Sequence, residues 1–159
     1  MTAVEKITPA DWMGAADTRA LFDAITAGGG SVRFVGGCVR DAILGRPVSD
    51  IDLATDVEPA RVIELLGARK IRAVPTGLDH GTITAIPEHR PFEITTLRQD
   101  VETDGRRAAV QFTHDWSVDA GRRDFTMNAL SADPDGTVYD YVGGLPDLRA
   151  GRVRFIGDA

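Results

Sequence analysis

Between Phe34 and Thr55 the chain reads FVGGCVRDAILGRPVSDIDLAT. This stretch forces a compact unit: a strand, a glycine pair, a short helix, a turn, and a second strand carrying Asp50-Ile51-Asp52. Side chains two apart on a strand share a face, so the two carboxylates stand about 6.5–7 Å apart along the backbone. Paired hard oxygen ligands suit divalent cations. Ile51 and Leu53 point the other way, into the core. Upstream, Gly36 and Gly37 let the backbone approach a phosphate, and a helix beginning near Cys38 offers free N–H groups and the positive end of its dipole. On that helix Val39, Ala42 and Ile43 form the buried face, which leaves Arg40 free to turn toward phosphate. Either element alone is common, since most glycine pairs are turns and many strand ends carry solvated acids. A phosphate cradle beside a cation-binding pair suggests two-metal nucleotidyl transfer.

The flanking sequence reads as scaffold. Thr8 or Asp11 is expected to cap an N-terminal helical region with Leu21, Phe22 and Ile25 on its apolar face, ended by Gly28-Gly29-Gly30. Ser31 to Val35 is the first strand expected. Asp56 is expected to cap a helix with Pro59 in its first turn and Val62, Ile63, Leu65 and Leu66 as its stripe, ended by Gly67. Ile71 to Val74 reads as a short strand, and Thr82 to Ile86 and Phe92 to Thr96 as a hairpin with a five-residue connection. Gln99 to Ala109 is polar, with a turn signal at Asp104-Gly105, and reads as a mobile loop. Asp135-Gly136 turns a hairpin into Val138 to Tyr141, a short helix runs from Gly143-Gly144 to Leu148, and Val153 to Ile156 reads as a last strand. His80, His89 and His114 lack metal-ligand spacing, so zinc is not expected and all three read as structural.

Size and charge narrow the function. At 159 residues one domain is expected. The formal charge of −6 argues against a strong RNA binder acting through phosphate neutralisation, although arginines cluster at Arg106-Arg107 and Arg122-Arg123. The single cysteine, Cys38, excludes an intrachain disulfide and fits a reduced, cytoplasmic compartment. No signal peptide is expected from Met1 to Thr18, and no stretch reaches the roughly 20 apolar residues of a membrane span.

Three motifs in order carry a resemblance. GGCVRD from Gly36 to Asp41, DID from Asp50 to Asp52, and RRDFTMNAL from Arg122 to Leu130 resemble the class II tRNA nucleotidyltransferases and bacterial poly(A) polymerases, of the polymerase-beta-like nucleotidyltransferase superfamily. Asp133-Pro134, Gly136, Asp140, Gly143-Gly144, Asp147-Leu148 and Arg154 follow a further family pattern, a springy connector. The fold expected is α+β, a mostly antiparallel twisted sheet of about five strands with helices on one side.

The resemblance implies that Asp50 and Asp52 hold two Mg²⁺ ions and that Glu93, in an apolar–acid–apolar strand, is the third catalytic carboxylate. Gly36, Gly37 and Arg40 would hold the triphosphate. Arg123 and Asp124 would contact phosphate and ribose, with Asn128 standing at i and i+4 from Asp124 on one face if the segment is a helical turn. The partners implied are CTP, ATP and an RNA 3′ end of tRNA type. Full-length relatives continue into a base-reading neck and RNA-holding body and tail, so residues 1–159 are expected to be a catalytic head alone. CCA addition, partial addition and poly(A) synthesis stay open, as does a non-catalytic NTP- and Mg²⁺-binding module.

Overall fold

The computed structural model describes residues 3–103 and 107–156. Ten strands and five helices follow in chain order among them: β1 (Ala3–Lys6), α1 (Ala16–Thr26), β2 (Val32–Val35), α2 (Gly37–Ile43), β3 (Ile51–Thr55), α3 (Pro59–Ala68), β4 (Arg72–Gly77), β5 (Thr82–Ile86), β6 (Phe92–Thr96), β7 (Arg98–Thr103), β8 (Arg107–Phe112), α4 (Trp116–Gly121), β9 (Ser131–Ala132), β10 (Thr137–Asp140) and α5 (Gly144–Ala150). Short 3₁₀ turns lie at Asp11–Gly14, Leu78–His80 and Thr126–Asn128.

One mixed sheet organises the chain, in the order β1-β10-β9-β2-β3-β6-β5-β4. Every pairing in it is antiparallel except β3 with β6, which runs parallel with Asp52 opposite Glu93. A parallel pair cannot be joined by a tight turn, so α3, β4 and β5 make up the crossover between them. The expected α+β class with a mostly antiparallel sheet holds. The sheet has eight strands instead of about five, because β1, β9 and β10 extend it beyond β2.

Alternation of side chains sorts the two faces. Val32 and Phe34 of β2, Ile51 and Leu53 of β3, Ile83 and Ala85 of β5, and Phe92 and Ile94 of β6 join one core with residues of α1, α2, α3 and α5. Phe34, Leu53 and Phe92 are fully buried, each contributing about 1.5–3 kcal/mol of apolar transfer. Val35 and Ala54 point to the opposite face, where they meet Leu97 and Trp116 of α4. Four helices thus cover one side as expected, and α4 covers part of the other. The rest of that second face is where Asp52 and Glu93 emerge.

Several local expectations change. The segment from Gln99 to Ala109 is largely a hairpin arm, β7 paired with β8 from Arg98↔Phe112 to Thr103↔Arg107. Polar strands that pair only with each other carry no core-facing apolar stripe to betray them. The Asp104-Gly105 turn signal lies outside the described residues. Asp56 does not cap α3: Glu58 holds the cap position without a side-chain bond, while Asp56 Oδ1 accepts the Ser31 N–H at 2.8 Å. Gly67 lies inside α3, which runs on to Ala68. Val153 to Ile156 is not a strand; only Phe155 bridges, to Phe125. Among the described residues no helix is long and apolar enough to cross a membrane.

Candidate active site

Three carboxylates converge on the uncovered face. Asp50 enters β3, Asp52 sits on it, and Glu93 stands beside Asp52 on β6. They line one cleft of about 250 Å³ with Ile51, Thr84 and Pro91. The parallel register makes this meeting possible, since it puts Asp52 and Glu93 directly opposite. Partial burial pushes the Asp52 carboxyl above the ordinary carboxylate range, and the charges of Glu93 and Asp50 push it further, while Arg123 pulls against them. No hydrogen bond or ion pair among the described residues satisfies any of the three. Among those residues, no three His, Cys, Asp or Glu side chains are gathered tightly enough to hold an ion as they stand. The donor set still fits a hard divalent cation: it is all oxygen, Asp52 stands in the negative field of Glu93 and Asp50, and a cation would relieve that repulsion.

The glycine pair lies at the edge of this cleft. Gly36 adopts φ 74° and ψ −143°, a conformation that L side chains rarely take, and leads straight into α2. A Cβ there would come to 3.9 Å from Asp52 Oδ2, so the turn and the carboxylates are close neighbours. On α2, Cys38 and Val39 are buried, whereas Ala42 and Ile43 are half-buried. Burial pushes the Cys38 thiol up to about 11, as expected of a structural thiol.

Arg40 is not free. Its Nε donates to Asp41 Oδ1 at 3.1 Å and its Nη1 to Asn128 Oδ1 at 3.0 Å. Asn128 Nδ2 donates in turn to Asp124 Oδ1 at 3.4 Å. The GGCVRD and RRDFTMNAL motifs are therefore joined side chain to side chain. Arg40 lines a second cleft, of about 410 Å³, with Arg46, Met127 and Arg149 among others. It does not line the carboxylate cleft, so a ligand reaching both would have to span the glycine turn.

Arg123 is held differently, from α4. Asp119 Oδ2 accepts Arg123 Nη2 at 3.0 Å, and Asp119 Oδ1 accepts Arg122 Nε at 3.1 Å. Asp119 is buried and is the functional neighbour that sequence reading missed. Its signal was present: on a helical turn, residues three and four before a pair of arginines face them.

The C-terminal segment braces Asp124. Thr126 N–H donates to the Arg154 carbonyl at 3.0 Å and Ile156 N–H to the Asp124 carbonyl at 2.9 Å. Asp147 accepts Thr126 Oγ1 at 2.5 Å and Arg154 Nε at 2.9 Å. The Thr126 bond first, then Arg154, holds the Asp147 carboxyl below its usual range. Gly144 is required here because a Cβ would collide with the Thr126 carbonyl. Thr126–Asn128 is thus a 3₁₀ turn packed on α5, and Asp124 lies before it in non-helical backbone, so the expected helical i, i+4 face does not form and the two residues meet through the Asn128 side chain.

Comparison with known proteins places the chain in a family. A family model described as the poly A polymerase head domain matches residues 32–154. The human CCA tRNA nucleotidyltransferase 1, mitochondrial, is 48% identical over 129 residues, covering 80% of this chain and 30% of that protein. A CCA-adding enzyme of Bacillus cytotoxicus is 38% identical over 142 residues, covering 88% and 35%. Among solved structures, the Bacillus stearothermophilus CCA-adding enzyme in complex with CTP superposes with a TM-score of 0.76 at 33% identity, over 90% of this chain and 34% of that one. A tRNA nucleotidyltransferase complexed with a primer tRNA and an incoming ATP analog gives a TM-score of 0.67 at 27% identity, over 86% and 39%. The chain spans about a third of the length of the relatives it matches.

Proposed function

Given that the chain belongs to the poly A polymerase head-domain family, we propose that it is the catalytic head of an RNA 3′-end nucleotidyltransferase of CCA-adding type. In this reading residues 1–159 form one head domain, which transfers CMP and AMP from CTP and ATP to a tRNA 3′ end. The observation that carries the proposal is the cleft in which Asp50, Asp52 and Glu93 stand without a hydrogen-bond or ion-pair partner among the described residues, with Arg123 as the positive charge acting on Asp52.

Each residue has a part derived from its surroundings. Asp50 and Asp52 would hold the cations, taken to be Mg²⁺, and Glu93, opposite Asp52 on the neighbouring strand, would complete or orient that site. A divalent cation bound there supplies positive charge that activates the attacking 3′-hydroxyl and neutralises the departing pyrophosphate. Gly36 and Gly37 bring the backbone against the phosphates, which otherwise would meet a Cβ. Arg40 exchanges part of its Asp41 and Asn128 bonding for the triphosphate. Arg123 reaches phosphate, and Asp124, braced by Ile156, accepts the ribose hydroxyl while Asn128 steadies it. The compartment we infer is the cytoplasm, in keeping with a single, free and buried cysteine.

The deciding experiment is incorporation of labelled CTP and ATP into a tRNA 3′ end with Mg²⁺. Addition of CCA supports the proposal, and a long run of AMP would assign poly(A) synthesis instead. Nucleotide binding without incorporation would favour a second reading, a non-catalytic NTP- and Mg²⁺-binding module. That reading draws on the carboxylates' not being gathered tightly enough, among the described residues, to hold an ion as they stand.

A further inference from the structure

The carboxylate of Asp119 makes three contacts at once. Oδ2 takes Arg123 Nη2 at 3.0 Å, while Oδ1 takes Arg122 Nε at 3.1 Å and the backbone N–H of Arg98 at 3.0 Å. Arg98 opens β7, and on the other side of the arm the Thr113 N–H donates to the Leu97 carbonyl at 2.9 Å. One buried acid therefore joins the base of the β7–β8 arm to the arginine pair that follows α4.

We propose that Asp119 is the positioning residue for Arg123, fixing its guanidinium toward the carboxylate cleft and tying that aim to the base of the β7–β8 arm. The inference rests on the reading of Arg123 as a triphosphate ligand.

Three observations carry it. Asp119 is 3% exposed, so water does little to screen its charge, and the two guanidinium groups supply the neutralisation that a buried carboxylate needs. Among the described residues its grip on Arg123 goes through Nη2, which leaves the Nε and Nη1 N–H groups, on different edges of the guanidinium, to donate singly to the oxygens of an anion. Arg123 also lines a small cavity with Val35, the residue that pairs with Asp52 between β2 and β3. Arg122 shares the same carboxylate, so a second cation balances Asp119 when Arg123 turns to a ligand. A guanidinium ordered before the ligand arrives loses less freedom on binding, which is how a residue that never touches the nucleotide raises affinity for it.

The sign of one substitution separates positioning from competition. If Asp119 merely competed with phosphate for Arg123, removing its charge would tighten binding. The test is calorimetry of ATP with Mg²⁺ on the 159-residue chain in four forms: wild type, Asp119→Asn, Arg123→Ala and the double variant. Asn is close to isosteric and keeps an acceptor for the Arg98 N–H. The expected result is a loss of about tenfold in affinity for Asp119→Asn, at least as much for Arg123→Ala, and no further loss in the double variant, because Asp119 acts through Arg123. Unchanged or tighter binding by Asp119→Asn, or losses that add in the double variant, would overturn the proposal. Should Asp119→Asn fail to fold, nitrogen-detected spectra of the wild-type arginine side chains decide it. The Arg123 guanidinium signal should be ordered before ATP is added, and a signal that sharpens only with ATP overturns the idea. A wild-type chain that does not bind ATP sinks the nucleotide reading itself. Binding by wild type with no loss in Asp119→Asn sinks only the role of Asp119.

Discussion

Two sets of aspartates in this chain live under opposite conditions. Asp119, Asp140 and Asp147 are buried, at 3%, 2% and 2% exposure, and each is crowded with donors. Asp140 alone accepts the backbone N–H groups of Val142, Gly143, Gly144 and Leu145. Asp50 and Asp52 are more exposed, and together with Glu93 they have no donor among the described residues. Burial with full pairing is what a scaffold requires, because a buried charge left alone is costly. Unpaired like charges held side by side on neighbouring strands are a local conflict of the kind that a bound cation would relieve. The contrast implies that the first set can be read from stability and the second from ligand binding.

The hardest blow to that contrast falls on the cleft. Asp50→Ala or Asp52→Ala should reduce incorporation of labelled CTP by about a thousandfold, or roughly 4 kcal/mol, since each removes an anionic oxygen from the cation site. Thermal stability should be unchanged or slightly higher. Full activity with Mg²⁺ in either variant would abolish the distinction between the two sets. The mirror experiment is Asp140→Ala, which strips the acceptor from four N–H groups at the start of α5 and should cost about 3 kcal/mol in urea unfolding. A loss under 1 kcal/mol would mean that burial and donor count do not identify the scaffold acids.

Arg40 sits between the two sets, bonded to Asp41 and Asn128 yet assigned to phosphate. Arg40→Ala should weaken ATP binding by about 1.5–3 kcal/mol, the range for hydrogen bonds to charged groups. Calorimetry that finds unchanged affinity would move Arg40 to the scaffold.

The smallest effect tests the conflict directly. The Asp52 carboxyl is raised in the folded state, first by burial and then by Glu93 and Asp50. A raised acid contributes stability below its unfolded value and loses it as pH rises through the folded value. Without divalent cations, wild-type stability should therefore decline across that window, and Asp52→Asn should not follow it. Melting temperatures of the two should be closest in acid and diverge in favour of Asp52→Asn toward neutral pH. Parallel curves would show that Asp52 is not under strain.

What the sequence disclosed follows physical range. Period-two alternation gave the bounds of β5 and β6 and put Asp52 and Glu93 on the face away from Ile51, Leu53, Phe92 and Ile94, as found. Those signals are local. The N-terminal Ala3–Lys6 became a strand only because β10 lies beside it, from Ala3↔Asp140 to Lys6↔Thr137, and four mixed residues announce no such partner. The β7–β8 arm was hidden for the same reason, since each strand of it is defined by pairing with the other. Arg40 was expected to be free because a helix turn shows where a side chain departs, not that Asn128 would meet it. Asp119 was missed although the i, i+3, i+4 spacing to Arg122 and Arg123 was legible, because α4 ends just before the arginines.

The one parallel pairing in the sheet also sets a clock. Asp52 and Glu93 become neighbours only after α3, β4 and β5 have formed the crossover and β6 has docked on β3. Closing a long segment costs chain entropy that local turns do not. The β5–β6 hairpin and the β2–α2–β3 unit are each local and can form early, but neither alone contains the three acids. In refolding, recovery of cation binding should therefore trail the fluorescence of Trp12, which packs edge-on against Phe34 of the local β2–α2–β3 unit, on the core face of the sheet. The proposed cation site would then be a late-stage reporter: a chain that binds a cation there has finished folding.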